Sequence, residues 1–169
     1  MREALKNLNW RLYGLGENDF DNFVRITSEL IEDRRAAMTA LDARVREELP
    51  DDADDILDDL LYYKGLEARY LWECCIVRLI GIFEGAIERH FLPEGRYGGY
   101  AGRVRALKDE GYIFVQEAEV REWVDLRNAL AHSPPEAFRP AMIEETDALE
   151  CCEVLKRAFR DLRGQKKPV

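Results

Sequence analysis

Leu79-Ile80-Gly81-Ile82-Phe83-Glu84-Gly85-Ala86-Ile87 is the stretch on which the fold turns. Its apolar residues do not alternate with polar ones as a half-buried strand requires. With Leu57, Leu60, Leu61, Leu66, Leu71 and Ile76 they continue one face at helical spacing. The pattern predicts a single long helix from about Ile56 to Phe91, with Gly65 as the place for a bend. Gly81 and Gly85, four apart, permit close approach by a neighbour, which in water is a packing device and not a membrane motif.

Upstream, Val24, Ile31, Met38 and Val45 recur every seven residues, with Phe20 and Leu41 on the neighbouring row. That is the stripe of a second long helix, opened by Asn18 or Asp19 as N-cap and ended by Pro50. Asp51, Asp52, Asp54 and Asp55 between the two lack EF-hand spacing and suit the positive end of a helix dipole. Leu5, Leu8 and Leu12 suggest a short helix in residues 1–13, stopped near Gly14 and Gly16.

Downstream, Pro93-Glu94-Gly95-Arg96-Tyr97-Gly98-Gly99 reads as a loop. A short helix from about Tyr100 to Glu110 ends at Gly111, a usual C′ residue. Another starts near Val115, passes Trp123 and Leu126, and stops toward Ala131 because Ser133-Pro134-Pro135 follows. The last begins near Pro140, a good first helical residue, and carries Ala148, Cys152, Leu155, Phe159 and Leu162 as its stripe until Gly164. No segment has strand period. The fold class predicted is therefore all-α, an antiparallel bundle of four main helices with short additional ones. Residues 1–17 form an N-terminal segment with a short helix, 18–164 the bundle domain, and 165–169 a frayed tail.

The composition agrees with one domain that has a real core. Of 169 residues, 47% are hydrophobic and 35% charged, far from a disordered composition. The net charge of -9 gives no long-range pull on nucleic acid, so any such role needs a local basic patch. No apolar h-region opens the chain and no apolar run reaches membrane-spanning length, so a cytoplasmic protein without a membrane role is expected. The four cysteines lie in adjacent pairs, Cys74-Cys75 and Cys151-Cys152, without the C-x-x-C spacing of redox or zinc sites. Neighbours on a helix point about 100° apart, so one of each pair should face the core. With His90 and His132 as the only histidines, and His90 read as a helix C-terminal residue, no metal site and no cofactor is expected. The sequence also holds no P-loop, dinucleotide fingerprint or nucleophile elbow.

The candidate chemistry lies in Leu126-Arg127-Asn128-Ala129-Leu130-Ala131-His132. Five residues on an unbroken helix separate two side chains by about 140°. If the helix breaks at Ser133-Pro134-Pro135, the His132 ring can swing toward Arg127. A guanidinium offers a fork to phosphate oxygens, and an imidazole moves protons near neutral pH. This segment resembles the signature of HEPN domains (higher eukaryotes and prokaryotes nucleotide-binding): Arg, a polar residue, a short spacer, then His. The resemblance implies a helical bundle and, in many members, a metal-independent endoribonuclease of toxin–antitoxin or phage-defence systems. It also implies a homodimer in which two motifs meet across one groove, and a possible antitoxin or other regulatory partner.

Carried over, His132 is the general base or acid, Arg127 stabilises the phosphorane-like transition state, and Asn128 orients His132 or the phosphate. Glu84, in the apolar helix quoted above, resembles an acidic residue that positions Arg127 or tunes His132. The family branch paired with a nucleotidyltransferase carries a tyrosine two residues after the histidine; this chain has Pro134 there. Residues 89–108 supply a basic stretch, in which Arg96, Tyr97, Tyr100, Arg103, Arg105 and Lys108 are the expected RNA-binding residues. The competing expectation is a non-catalytic helical module that binds a protein or nucleotide, with Arg127 and His132 in structural roles only.

Overall fold

The computed structural model describes residues 16–132 and 143–165. The expected helix in residues 1–13, the Ser133-Pro134-Pro135 break and residues 166–169 of the tail lie outside them. The described residues form five helices and no strand: α1 Glu17–Glu48, α2 Ala53–Phe91, α3 Gly99–Asp109, α4 Glu117–His132 and α5 Glu145–Gly164. None is long and apolar enough to cross a membrane.

Four of the helices form a ring in which neighbours run antiparallel. α1 packs on α2, α2 on α4, α4 on α5 and α5 on α1, while the parallel pair α2 and α5 meets across the middle. The register of α5 on α1 is fixed by ion pairs from Arg160 to Glu17 and Lys156 to Asp21, and by Ser28 Oγ donating to Glu145 at 2.8 Å. α3 sits on the end of α2. Fully buried Phe20, Ile76, Leu79, Ile80, Phe83, Ile87, Leu155 and Leu162 form the centre. Phe159 is its aromatic hub, with ring centroids 6.5 Å from Phe20, 5.4 Å from Phe91 and 5.6 Å from His90.

The helix ends show which local signals decided them. Gly111 adopts φ 83°, and Tyr112 N–H then donates to the Leu107 carbonyl at 2.9 Å, closing α3 as the sequence predicts. α2 runs through Gly65 without interruption. Four starts differ from expectation, that of α2 lying at Ala53, three residues ahead of Ile56. Gly16, not Asn18 or Asp19, is the N-cap of α1; Asp19 sits three residues in and accepts from Gly16 N–H at 2.7 Å. α4 starts at Glu117, because Val115 is exposed and its neighbours Phe114 and Gln116 are the ones that turn inward. α5 starts at Glu145 and not near Pro140, because Asp147 accepts from Glu144 N–H at 2.7 Å and fixes the first turn there. Gln165, expected in the frayed tail, is instead tied to Ile113 by both ends of its amide, at 2.8 and 2.7 Å.

α1 and α2 outrun the others. α5 begins opposite Ser28, and α4 ends beside Glu73 and Val77. Beyond those points, the ion pairs Arg34–Glu67 and Arg46–Asp54 join residues 32–48 of α1 to residues 53–71 of α2. They form a two-helix arm roughly 25 Å long, at 1.5 Å rise per residue.

All four cysteines are free thiols. Cys74 is exposed and Cys75 buried, as expected; Cys151 and Cys152 are both buried, because α5 is wrapped by α1, α2 and α4. Burial pushes the Cys151 thiol far up and the Cys152 thiol to about 12. Since the thiolate is the nucleophile, a colorimetric thiol assay of the native protein should titrate Cys74 at once. The other three should react only as fast as the protein unfolds, and a second fast thiol would contradict this packing.

Candidate functional site

Glu84 lies on α2 at the junction with α3 and α4, and its carboxylate is contacted by two arginines. Arg127 Nη2, from α4, donates to Glu84 Oε1 at 2.8 Å. Arg103 Nη1, from α3, stands 3.8 Å from Glu84 Oε2, while its Nη2 pairs with Glu88 Oε1 at 2.6 Å. Glu84 and Glu88 are one turn apart on α2, so both face α3 and α4. The side chains of Glu84, Arg103 and Arg127 are only 12%, 16% and 24% exposed. The buried Nε atoms of both Arg103 and Arg127 lack a hydrogen-bond partner. Two carboxylates, Glu84 and Glu88, and two largely buried guanidiniums balance in charge, and the planar fork of a guanidinium in such a cluster suits an anion with several oxygens.

Asn128 and His132 share the exposed side of α4, four residues apart. The helix continues through His132, so its last turn leaves the histidine about 140° around from Arg127 and does not turn it toward the guanidinium. The break expected at Ser133-Pro134-Pro135 lies outside the described residues. Among the described residues His132 makes no hydrogen bond or ion pair. The surface of α4 therefore presents an arc from the half-buried Arg127, past Asn128, to the solvent-facing imidazole.

The basic stretch divides. Arg96 and Arg105 are exposed and make no ion pair among the described residues. Tyr97 is half-buried, its hydroxyl donating to the Pro93 carbonyl at 2.5 Å and its ring lying over Gly95. Lys108 is held by Glu117 at 2.7 Å. That contact, with Arg121 beside it, keeps the Glu117 carboxyl below its usual range. Tyr100, expected to stack on a base, is buried. Its hydroxyl donates to the Glu117 carbonyl at 3.3 Å, burial raises its phenol well above the ordinary range, and the Arg121 guanidinium lies 6.0 Å over its ring. Arg103 belongs to the Glu84 cluster rather than to an open basic face. Its pairing with Glu84 is the feature that sequence reasoning missed. The signal was present in the carboxylates at 84 and 88, which together need more than one cation.

Elsewhere, Asp21, Cys152 and Glu153 offer ligand atoms within 4.8 Å of one another. The Lys156 ammonium already lies 2.8 Å from both carboxylates, so the group reads as an ion pair network. His90 packs edge-on against Phe159 and tilted against Phe91, a core-flanking role more specific than helix capping. Compared with known proteins, the chain matches no protein-family model, no curated sequence and no solved structure.

Proposed function

We propose that the protein is a HEPN-like, metal-independent endoribonuclease whose site is the arc of Arg127, Asn128 and His132 on α4, with Glu84 as the positioning residue. The observation that carries this reading is the Glu84–Arg127 pair. Two residues 43 apart in sequence, singled out by the motif and by the apolar helix, meet at 2.8 Å. In the reaction, the ribose 2′-oxygen bonds to phosphorus as the bond to the 5′-oxygen breaks. A 2′,3′-cyclic phosphate and a 5′-hydroxyl result. His132 moves the proton, as base at the 2′-hydroxyl or as acid at the leaving oxygen. Arg127 and Arg103 offset the charge that grows on the phosphoryl oxygens, and Arg96, Arg105 and the edge of Tyr97 guide the strand. A toxin–antitoxin or defence setting, with a regulatory protein partner, fits such an activity.

A second reading has its own observation. Arg127 is already neutralised by Glu84, and the unbroken last turn of α4 sets His132 apart from it, as in a binding module that does no chemistry. The two readings part in one experiment: a structured RNA pool incubated in EDTA with wild type, His132→Ala and Arg127→Ala. The nuclease reading expects cyclic phosphate ends from wild type and a loss of at least about 10²-fold in His132→Ala, with Arg127→Ala similarly impaired. Folded proteins that all fail to cut would favour the binding module.

A further inference from the structure

The arm is only two helices thick. Between α1 and α2 it holds an open groove of about 470 Å³, floored by Ile31, Met38, Leu57, Leu61, Ala68 and Leu71. Gly65 leaves one wall bare, and a Cβ there would touch nothing within 4 Å. Leu61, Tyr62 and Tyr63 stand 59%, 66% and 61% exposed, far more than an apolar run on a finished helix. Charge is ordered along the groove. At the body end its rim carries Arg34, Arg35 and Lys64 against Glu67, shared between Arg34 and Lys64, and Glu32, paired with Arg35, which leaves one positive charge in excess. At the tip stand Asp51, Asp52, Asp54, Asp55, Asp58 and Asp59, and among the described residues only Asp54 has an ion-pair partner, Arg46.

We propose that a second copy of this chain docks on the arm of residues 32–71, antiparallel, completing a four-helix bundle from two hairpins. An occupant of this groove must be apolar along its length, acidic over the cationic end and cationic over the acidic end. Another arm turned end for end has that order, and the same contact covers its own groove, which is the self-complementarity of a two-fold interface. Parallel pairing would set one acidic tip on the other. The face is roughly 25 Å long and two helices of about 10 Å wide, so of the order of 500 Å² per copy. That is below the roughly 800 Å² per partner of standard interfaces and falls in the range of weak, transient contacts. The inference does not rest on the ribonuclease reading. It differs from the homodimer expected from sequence, in which the motifs face across a groove, by carrying the two Arg127 sites on bodies at opposite ends.

Sedimentation velocity from about 1 μM to about 200 μM tests it. Wild type should pass from monomer to dimer in that range. Leu61→Lys should raise the dissociation constant at least about tenfold with an unchanged melting temperature, since Leu61 is exposed in the monomer. Ile26→Lys, at an exposed apolar residue of the body, should leave the dimer intact. Raising salt from about 0.05 M to about 0.5 M should weaken the dimer several-fold, as opposite charges are screened. A monomer throughout, as when the groove is filled by the chain's own segments, would overturn the proposal. So would a dimer that survives Leu61→Lys or is lost in Ile26→Lys; tightening with salt would overturn the antiparallel arrangement.

Discussion

Glu84→Gln should cost about 2–4 kcal/mol of stability, somewhat under the 3–5 kcal/mol of a fully buried broken pair because Arg127 keeps partial contact with water. For a domain of this size that is a fall of about 6–12 °C in melting temperature. The cause is the orphaned Arg127 and the half-orphaned Arg103, whose Nε atoms already lack partners and whose guanidiniums would lose the carboxylate between them. Adding Arg127→Gln should restore part of the loss, since the second substitution removes the uncompensated charge. Thermal melts of the two single variants and the double give the cycle. A loss below about 0.5 kcal/mol in Glu84→Gln would place the pair with ordinary surface ion pairs and remove its claim to position Arg127.

Phe159→Ala should be more damaging still, about 3–5 kcal/mol, or a fall of about 9–15 °C. The ring is 2% exposed and touches Phe20 of α1 and His90 and Phe91 of α2. Its loss opens a cavity among three helices whose backbones are held by neighbouring contacts and cannot collapse into it. Leu149→Ala, on the same helix but 47% exposed, is the control and should change stability by no more than about 0.5 kcal/mol. Urea titration separates the outcomes. A shifted midpoint with unchanged slope marks lost packing, and a changed slope would mean that the hub organises more than its own cavity.

The helices were legible where one signal dominated. α2 carries its apolar face for most of 39 residues, and Gly111 closes α3 because the left-handed backbone there suits glycine best. The start of α5 was misjudged because two local rules competed. Proline at the first helical position is a preference, whereas the Asp147 carboxylate on the Glu144 N–H is a hydrogen bond. Tyr100 was misread because a tyrosine in a basic stretch suggests stacking. Yet Tyr100, Val104 and Leu107 are spaced four and three, and this core stripe was the truer signal. At the site, the motif pointed to Glu84 and Arg127 together. The place of Arg103 could not be read from spacing, because it depends on how α3 is set across the end of α2. The direction of His132 depends on where helical backbone ends, which the prolines after it bias but do not fix.

One consequence follows from α2 being a single uninterrupted rod from Ala53 to Phe91. Glu84 at one end and the arm tip at the other are about 45 Å apart along the same axis, at 1.5 Å per residue. Rigid rotation acts on such a rod as on a lever: a ten-degree tilt of the body about Glu84 carries the tip through roughly 8 Å. The chain thus joins its two most polarised regions by one continuous helix, in which Gly65 and Gly81 are the only glycines between them.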